Sequence, residues 1–320
     1  MLLIVAGHYR HELEPAYWTR LVGWHTIITM PLLFMLSGFL FRFASPNEQI
    51  NSYALFFKRK VPRLVYPYLV ASLVLFAVKL VVGAFFTLQH PANLRALYYI
   101  AVDPLKGPAT ALWFIYALAL MYFIYPALRM IARNDLVAFA LSIGMMYLPA
   151  TETFCLRPML THLPFFLFGI LIAGRVDFDE MKARWALVLV LGGAIVFSTV
   201  LLGKNMGQPQ SARFLAGMSG SLLIIGVSRF LTKPVGNVIG KAFELVGFYS
   251  MSIYLFHTVF LGVVRIMQHD VLAIHEYFWV GALVGIALAI VAPALIEKHI
   301  LRKFALPRKY ILGLKPAAAR

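Results

Sequence analysis

The chain has 320 residues, of which 61% are hydrophobic and only 13% charged, and its mean hydropathy is +0.81. A soluble domain carries about 25% charged and about 45–50% apolar residues, so the composition excludes a soluble globular protein and points to an all-α, polytopic bundle of transmembrane helices. A net charge of +16 and a pI near 10.0 would suggest nucleic acid in a soluble protein. Here the basic residues stand in short loops between apolar stretches, the habit of membrane proteins, and no nucleic-acid partner is expected.

A spanning helix needs about 20 mostly apolar residues. In chain order the candidate spans are 21–43, 64–86, 111–131, 135–150, 162–175, 185–203, 213–230, 243–267 and 278–296. Two of them, 135–150 and 162–175, are short, and either extend into their flanks or are partly re-entrant. Met1–His8 reads as the last third of a further helix, so about ten are expected, the first truncated. Met1–Gly7 alone covers roughly a third of a ~30 Å hydrocarbon core at 1.5 Å per residue. Either the chain is truncated or its start was assigned too late. The segment has no basic region or cleavage pattern of a signal peptide. Residues 1–300 thus form one transmembrane domain, followed by a basic tail, 301–320.

Lysines and arginines gather in alternate loops. One set holds Arg42, Lys58, Arg59, Lys60, Arg63, Arg129, Arg133, Arg175, Lys182, Arg184, Arg229, Lys233, Lys241 and the C-terminal tail; the opposite set holds only Arg10, Arg20, Arg95, Lys106, Arg157, Lys204 and Arg213. By the positive-inside rule the C-terminus is cytoplasmic and His8 lies on the outer side. Lys79 and Arg265 fall within spans.

Few residues can carry chemistry. Cys155 is the single cysteine, which leaves no disulfide or cysteine metal site. The histidines have no His-Glu-x-x-His spacing, and no metal is expected. His8 ends the first apolar segment and has the side chain suited to proton transfer near neutral pH; the plain alternative is an interfacial histidine facing headgroups. His25 and His162 stand at outer span ends. His257, midway along its span, should face the protein interior, as a functional or a structural hydrogen-bonding group. Glu152, Glu244 and Glu297 lie in loops or near span ends and read as interfacial. The cluster Phe57-Lys58-Arg59-Lys60-Val-Pro-Arg63 is either plain positive-inside charge or a site for a phosphorylated ligand, since arginine gives bidentate and lysine point-charge contacts to phosphate. Pro31, Ser37 and Gly38 interrupt the span 21–43, as a helix-packing contact or a ligand approach. Gly281-x-x-x-Gly285 fits close helix packing.

Taken in order, Gly7-His8, Met30-Pro-Leu-Leu-Phe-Met-Leu-Ser37-Gly-Phe-Leu40, Lys60-Val-Pro-Arg63-Leu-Val-Tyr-Pro-Tyr68, Ala111-Leu-Trp113-Phe-Ile, Leu163-Pro-Phe-Phe-Leu-Phe-Gly169 and Tyr249-Ser-Met-Ser-Ile-Tyr254-Leu-Phe-His257 resemble the acyltransferase 3 family of integral membrane acyltransferases, which includes bacterial sugar and polysaccharide O-acetylases. The resemblance spans nearly the whole chain. It implies a bundle of about ten helices in the bacterial inner membrane with both ends cytoplasmic. It further implies an O-acyltransferase that takes an acyl group, usually acetyl, from cytoplasmic acyl-CoA and gives it to a hydroxyl of a carbohydrate acceptor on the outer side. The family's essential histidine falls on His8, and its basic cluster on Arg59 and Arg63, with Lys60 between them, as the acetyl-CoA phosphate site. The family pattern also has a basic residue further upstream, at a position before Met1. Acetyl-CoA enters as a substrate, and no cofactor is bound permanently. His8 is the expected general base, with Ser37, Trp113 and His257 as possible pocket neighbours. The alternative is a transporter or flippase, which broken helices and midplane ionisable groups also suit, although no internal repeat is visible.

Overall fold

The computed structural model describes residues 1–43, 62–86, 92–173, 188, 191–196, 198, 209–232, 238–272, 274 and 277–314. Arg59, Lys60 and most of the expected span 185–203 lie outside the described residues. Helices and turns make up the described chain, with no strand among these residues. In order they are α1 (Leu2–His8), α2 (Ala16–Phe43), α3 (Pro62–Gly83), α4 (Leu94–Val102), a 3-10 turn (Thr110–Leu112), α5 (Trp113–Ala132), α6 (Asp135–Met145), α7 (Leu156–Ala173), α8 (Gln210–Thr232), α9 (Val238–Phe248), α10 (Ser250–Ile266), α11 (Phe278–Ile296) and α12 (Ala305–Tyr310). Among the described residues, six segments are long and apolar enough to cross a membrane: 16–43, 62–83, 110–132, 153–173, 250–271 and 278–301. The chain is a multi-pass, all-α membrane protein.

The short expected spans part company. The span 162–175 extends upstream, as α7 begins at Leu156 behind a 3-10 turn from Thr153. The span 135–150 stays short: α6 is started by Asn134, whose side chain accepts from Val137 N at 2.8 Å, and ends at Met145. The single span 243–267 is divided by a kink at Tyr249 (φ −94°, ψ 10°), although Tyr249 N to Leu245 O and Ile253 N to Tyr249 O, both 3.1 Å, carry the hydrogen bonding through it. Asn93 starts α4, which the hydropathy pattern passed over, by accepting from Ala96 N at 3.1 Å.

The apolar helices pack around two cores. The larger joins α2, α3, α5, α6, α7 and α10 through Phe34, Tyr68, Met121, Ala138, Phe166 and Tyr254. The smaller joins α1, α2, α10 and α11 through Val5, Tyr9, Trp18, Ile253, Leu261 and Phe278. α10 contributes to both, with Tyr254 and Leu255 in one and Ile253 and Leu261 in the other. The remaining faces present exposed leucine and valine, as on α11 with Leu283, Val284 and Val291. That is the surface a helix offers to lipid.

The most extensive pairing is α2 with α7, and glycine makes it possible. A Cβ at Gly38 would stand 1.9 Å from the Phe166 carbonyl oxygen, and one at Gly169 would stand 2.0 Å from that of Met35. Small residues let helix backbones approach this closely. At one end of the bundle α12 folds back onto α3: Tyr310 meets Tyr66 edge to face at 5.3 Å, and Gly313, at φ +63°, sits over the Arg63 carbonyl, where a Cβ would be 2.6 Å from the oxygen.

Candidate active site

The opposite end of α3 opens on a cavity of about 350 Å³, and His8 lines it. Three consecutive residues at the end of α1 each lock onto a different helix. Gly7 faces α2: a Cβ there would fall 1.8 Å from Nε2 of His25, whose Nδ1 donates to the Val22 carbonyl at 2.7 Å. Tyr9 faces α11. Its buried ring lies against Gly281 and Gly285, where a Cβ would come within 2.2 Å of the hydroxyl and 3.4 Å of the ring respectively. The Tyr9 hydroxyl donates to Gln268 Oε1 at 3.0 Å, and Gln268 Nε2 in turn donates to the Ile274 and Tyr277 carbonyls, each at 3.1 Å. The Gly281/Gly285 pair is thus the socket of an aromatic side chain.

Between these two anchors His8 faces α10. Its Nδ1 donates to the Ile4 carbonyl at 2.8 Å. A carbonyl only accepts, so this bond sets the Nδ1–H tautomer and leaves the lone pair on Nε2. The ring meets that of His257 edge to face, with centroids 4.9 Å apart and planes at 78°. His257 is fully buried and, unlike His8, does not itself line the cavity. Its Nδ1 likewise donates into its own helix, 2.8 Å from the Tyr254 carbonyl and 3.1 Å from that of Ile253. Its Nε2 is buried with no hydrogen-bond partner among the described residues. Such an atom costs about 1–3 kcal/mol in a folded core, and a site that accepts a proton or a substrate hydroxyl is one reason for it to persist. Tyr254 holds this stretch of α10 in place through a hydrogen bond from its hydroxyl to the Ala111 carbonyl.

The rest of the lining is apolar apart from a few groups. Thr110 and Thr258 add hydroxyls, and Arg10, Lys79 and Arg265 add positive charge. The loop from α4 to Thr110 is braced by Asp103, whose carboxylate is 2.8 Å from Lys106 Nζ and holds that ammonium's pKa above its usual value. Sequence reasoning placed Lys79 and Arg265 inside spans and assigned them nothing. The signal was present, because an ionisable side chain within a spanning segment is costly in lipid and usually faces the protein interior or a water-filled cavity.

The other expected site residues lie elsewhere. The Ser37 hydroxyl donates to the Leu33 carbonyl at 2.7 Å within α2, beside the α2/α7 crossing, and is not part of the cavity lining. Trp113 begins α5 with its ring 6.0 Å from Phe34 and 5.6 Å from His162; its neighbours Thr110 and Ala111 line the cavity, but it does not. His162 donates to the Pro158 carbonyl at 2.8 Å within that aromatic group. Arg63 is exposed at the far end of α3, sixteen residues and so about 24 Å of helix from Lys79. Glu297 is buried and paired with Arg302 at 2.6 Å, and Glu152 faces Arg157 at 3.8 Å. Among the described residues no three histidine, cysteine, aspartate or glutamate side chains group to hold a metal ion.

Compared with known proteins, the chain matches no curated protein and no solved structure. It does match a family model, described as an acyltransferase domain, over residues 1–298, which take in every helix from α1 to α11 and both histidines of the His8–His257 pair. The chain therefore belongs to the acyltransferase 3 family and is a membrane acyltransferase.

Proposed function

We propose that the protein moves an acyl group, acetyl in the first instance, from cytoplasmic acyl-CoA to a hydroxyl of a sugar or polysaccharide precursor at the outer face of a bacterial inner membrane. The observation that carries this reading is the His8–His257 pair, of which His8 lines the cavity: one ring nitrogen of each is spent on its own helix, and the other is left as a base. His8 Nε2 takes the proton of the acceptor hydroxyl as its oxygen bonds to the thioester carbonyl carbon. The tetrahedral intermediate then expels the CoA sulfur as the C–S bond breaks, and the His8 imidazolium returns the proton to it. The second lone pair, on His257, stabilises the imidazolium while it lasts. General-base catalysis of this kind contributes about 10²–10⁴-fold.

The phosphates of CoA are assigned to the other end of the bundle. Arg63 stands there with Arg308 and Lys309 of α12, which folds onto the start of α3; Arg59 and Lys60 precede it in the chain. The positive-inside rule makes this the cytoplasmic end, with the C-terminus on it. The acyl arm then runs along the bundle toward His8.

The test uses membranes carrying the chain, labelled acetyl-CoA and a panel of saccharides. Label is expected to enter a saccharide, and His8→Ala, inserted at the wild-type level, is expected not to transfer it. Transfer by His8→Ala at the wild-type rate overturns the assignment of the base. Saccharide that crosses the membrane unacylated would indicate transport instead.

A further inference from the structure

Two helix faces wall the cavity beside His8. α3 contributes Leu75, Val78, Lys79 and Val82, the i, i+3, i+4, i+7 spacing of a single face. α10 contributes Thr258, Val259, Gly262, Val263, Arg265 and Ile266. Position 262 is the centre of that second face: its neighbours at i−4, i−3, i+3 and i+4 all line the cavity, and residues at those spacings lie side by side on a helix. A Cβ at Gly262 would meet no atom of the described residues within 4 Å. At Gly38, Gly169, Gly281 and Gly285 the missing side chain admits a neighbouring backbone or side chain. At Gly262 it admits no described group, although glycine is unfavourable relative to alanine inside a helix. The room it leaves is cavity rather than packing.

The direction of α10 says which substrate that room serves. His8 meets α10 at His257. Gly262 follows about 7.5 Å further along the helix, away from the end that the positive-inside rule makes cytoplasmic. The donor is proposed to arrive from the cytoplasmic end, so the space beyond His8 faces the acceptor. At about 350 Å³ the cavity is near the lower limit of small-molecule sites, about 300 Å³, and a side chain at the centre of one wall would compete with whatever fills it.

We infer that Gly262 is a specificity-determining residue: its missing side chain is the room in which the acceptor unit lies beside His8, and it sets how large that unit can be. This rests on the proposed acyl transfer at His8 and adds to it a size limit on the acceptor.

The experiment measures transfer of labelled acetyl from acetyl-CoA to methyl glucoside and to the larger methyl maltoside. It uses membranes carrying the full chain as wild type, Gly262→Ala, Gly262→Val or Gly262→Leu, with Gly144→Leu as control. Gly144 is an exposed glycine of α6 outside the cavity lining, and a Cβ there also meets nothing described within 4 Å. The acceptor KM is expected to rise in the order Ala, Val, Leu, reaching about 10- to 100-fold at Leu, the size of an overpacking penalty. Any preference for methyl glucoside over methyl maltoside should steepen along the series. The KM for acetyl-CoA and the amount of folded protein should stay at wild-type values, as should all readings for Gly144→Leu. An acceptor KM that stays flat across the series overturns the inference. So does a rise in the KM for acetyl-CoA instead, which would give the space to the donor. Loss of folded protein in Gly262→Ala overturns it as well, because position 262 would then pack against the protein. The two readings fail in different ways. Wild-type transfer with a flat Gly262 series keeps the acyltransferase and removes the size limit. Wild type that transfers acetyl to neither saccharide removes the proposed function, and the inference with it.

Discussion

Glycine brings elements unusually close in two regions of this protein, and the comparison separates what holds the bundle together from what aims the reaction. At the α2/α7 crossing, Gly38 and Gly169 face backbone: the nearest atoms to an added Cβ are the carbonyl oxygens of Phe166 and Met35. Nothing there can move without moving a helix. At the α1 seat, Gly7 and Gly281 face the far ends of side chains, namely the His25 ring, Gln268 Oε1 and the Tyr9 hydroxyl. These can shift. The first contact is a matter of fold, whereas the second places His8, which sits between the residues that the glycines admit.

The most severe break in this comparison should come from His8→Ala. It is expected to cut acyl transfer by about 10²–10⁴-fold with thermal stability close to wild type, read as transfer rate and melting temperature on the same membranes. A large fall in melting temperature would mean that His8 belongs to the fold rather than the reaction. Gly281→Ala comes next. Its methyl group displaces Tyr9 and Gln268, and because misplacing a catalytic group by about 1 Å can cost on the order of 10²-fold, transfer should drop far more than stability does.

Gly38→Ala should show the reverse pattern. Forcing a methyl group against a backbone carbonyl is overpacking, which costs about 1–3 kcal/mol, so the yield of folded protein and its melting temperature fall while the folded fraction keeps its specific activity. Equal effects of Gly38→Ala and Gly281→Ala on activity per folded molecule would erase the distinction. The smallest effect is expected from Tyr9→Phe, which removes one hydrogen bond to Gln268 and keeps the ring in its socket. The loss should be about 1 kcal/mol, seen as a modest fall in melting temperature with transfer reduced less than tenfold.

Much of this could be read from residue order. The span pattern foresaw α2, α3, α5, α8 and α11 to within a few residues, because runs of apolar residues long enough for a bilayer leave few choices. His8 and His257 stood out as titratable groups in apolar surroundings. Ser37 and Trp113 were expected near the base because their motifs contain them, yet local bonding and packing draw them off: Ser37 to a carbonyl of its own helix, and Trp113 into the Phe34–His162 group. α4 has only nine residues and owes its start to a capping asparagine, so a hydropathy window tuned to spans passes over it.

By itself the sequence determined that the chain is a multi-pass helical membrane protein, which loops carry the positive charge, and which histidines lie in apolar surroundings. Those are properties of composition and order along a helix, where neighbours in sequence are neighbours in space. Only the tertiary structure decided that His8 meets His257, that Gly281 and Gly285 receive Tyr9, and that Lys79 and Arg265 share one cavity. These contacts join helices far apart in the chain. Helices apolar on every side show no stripe that says which face meets which neighbour, and packing alone settles the matter.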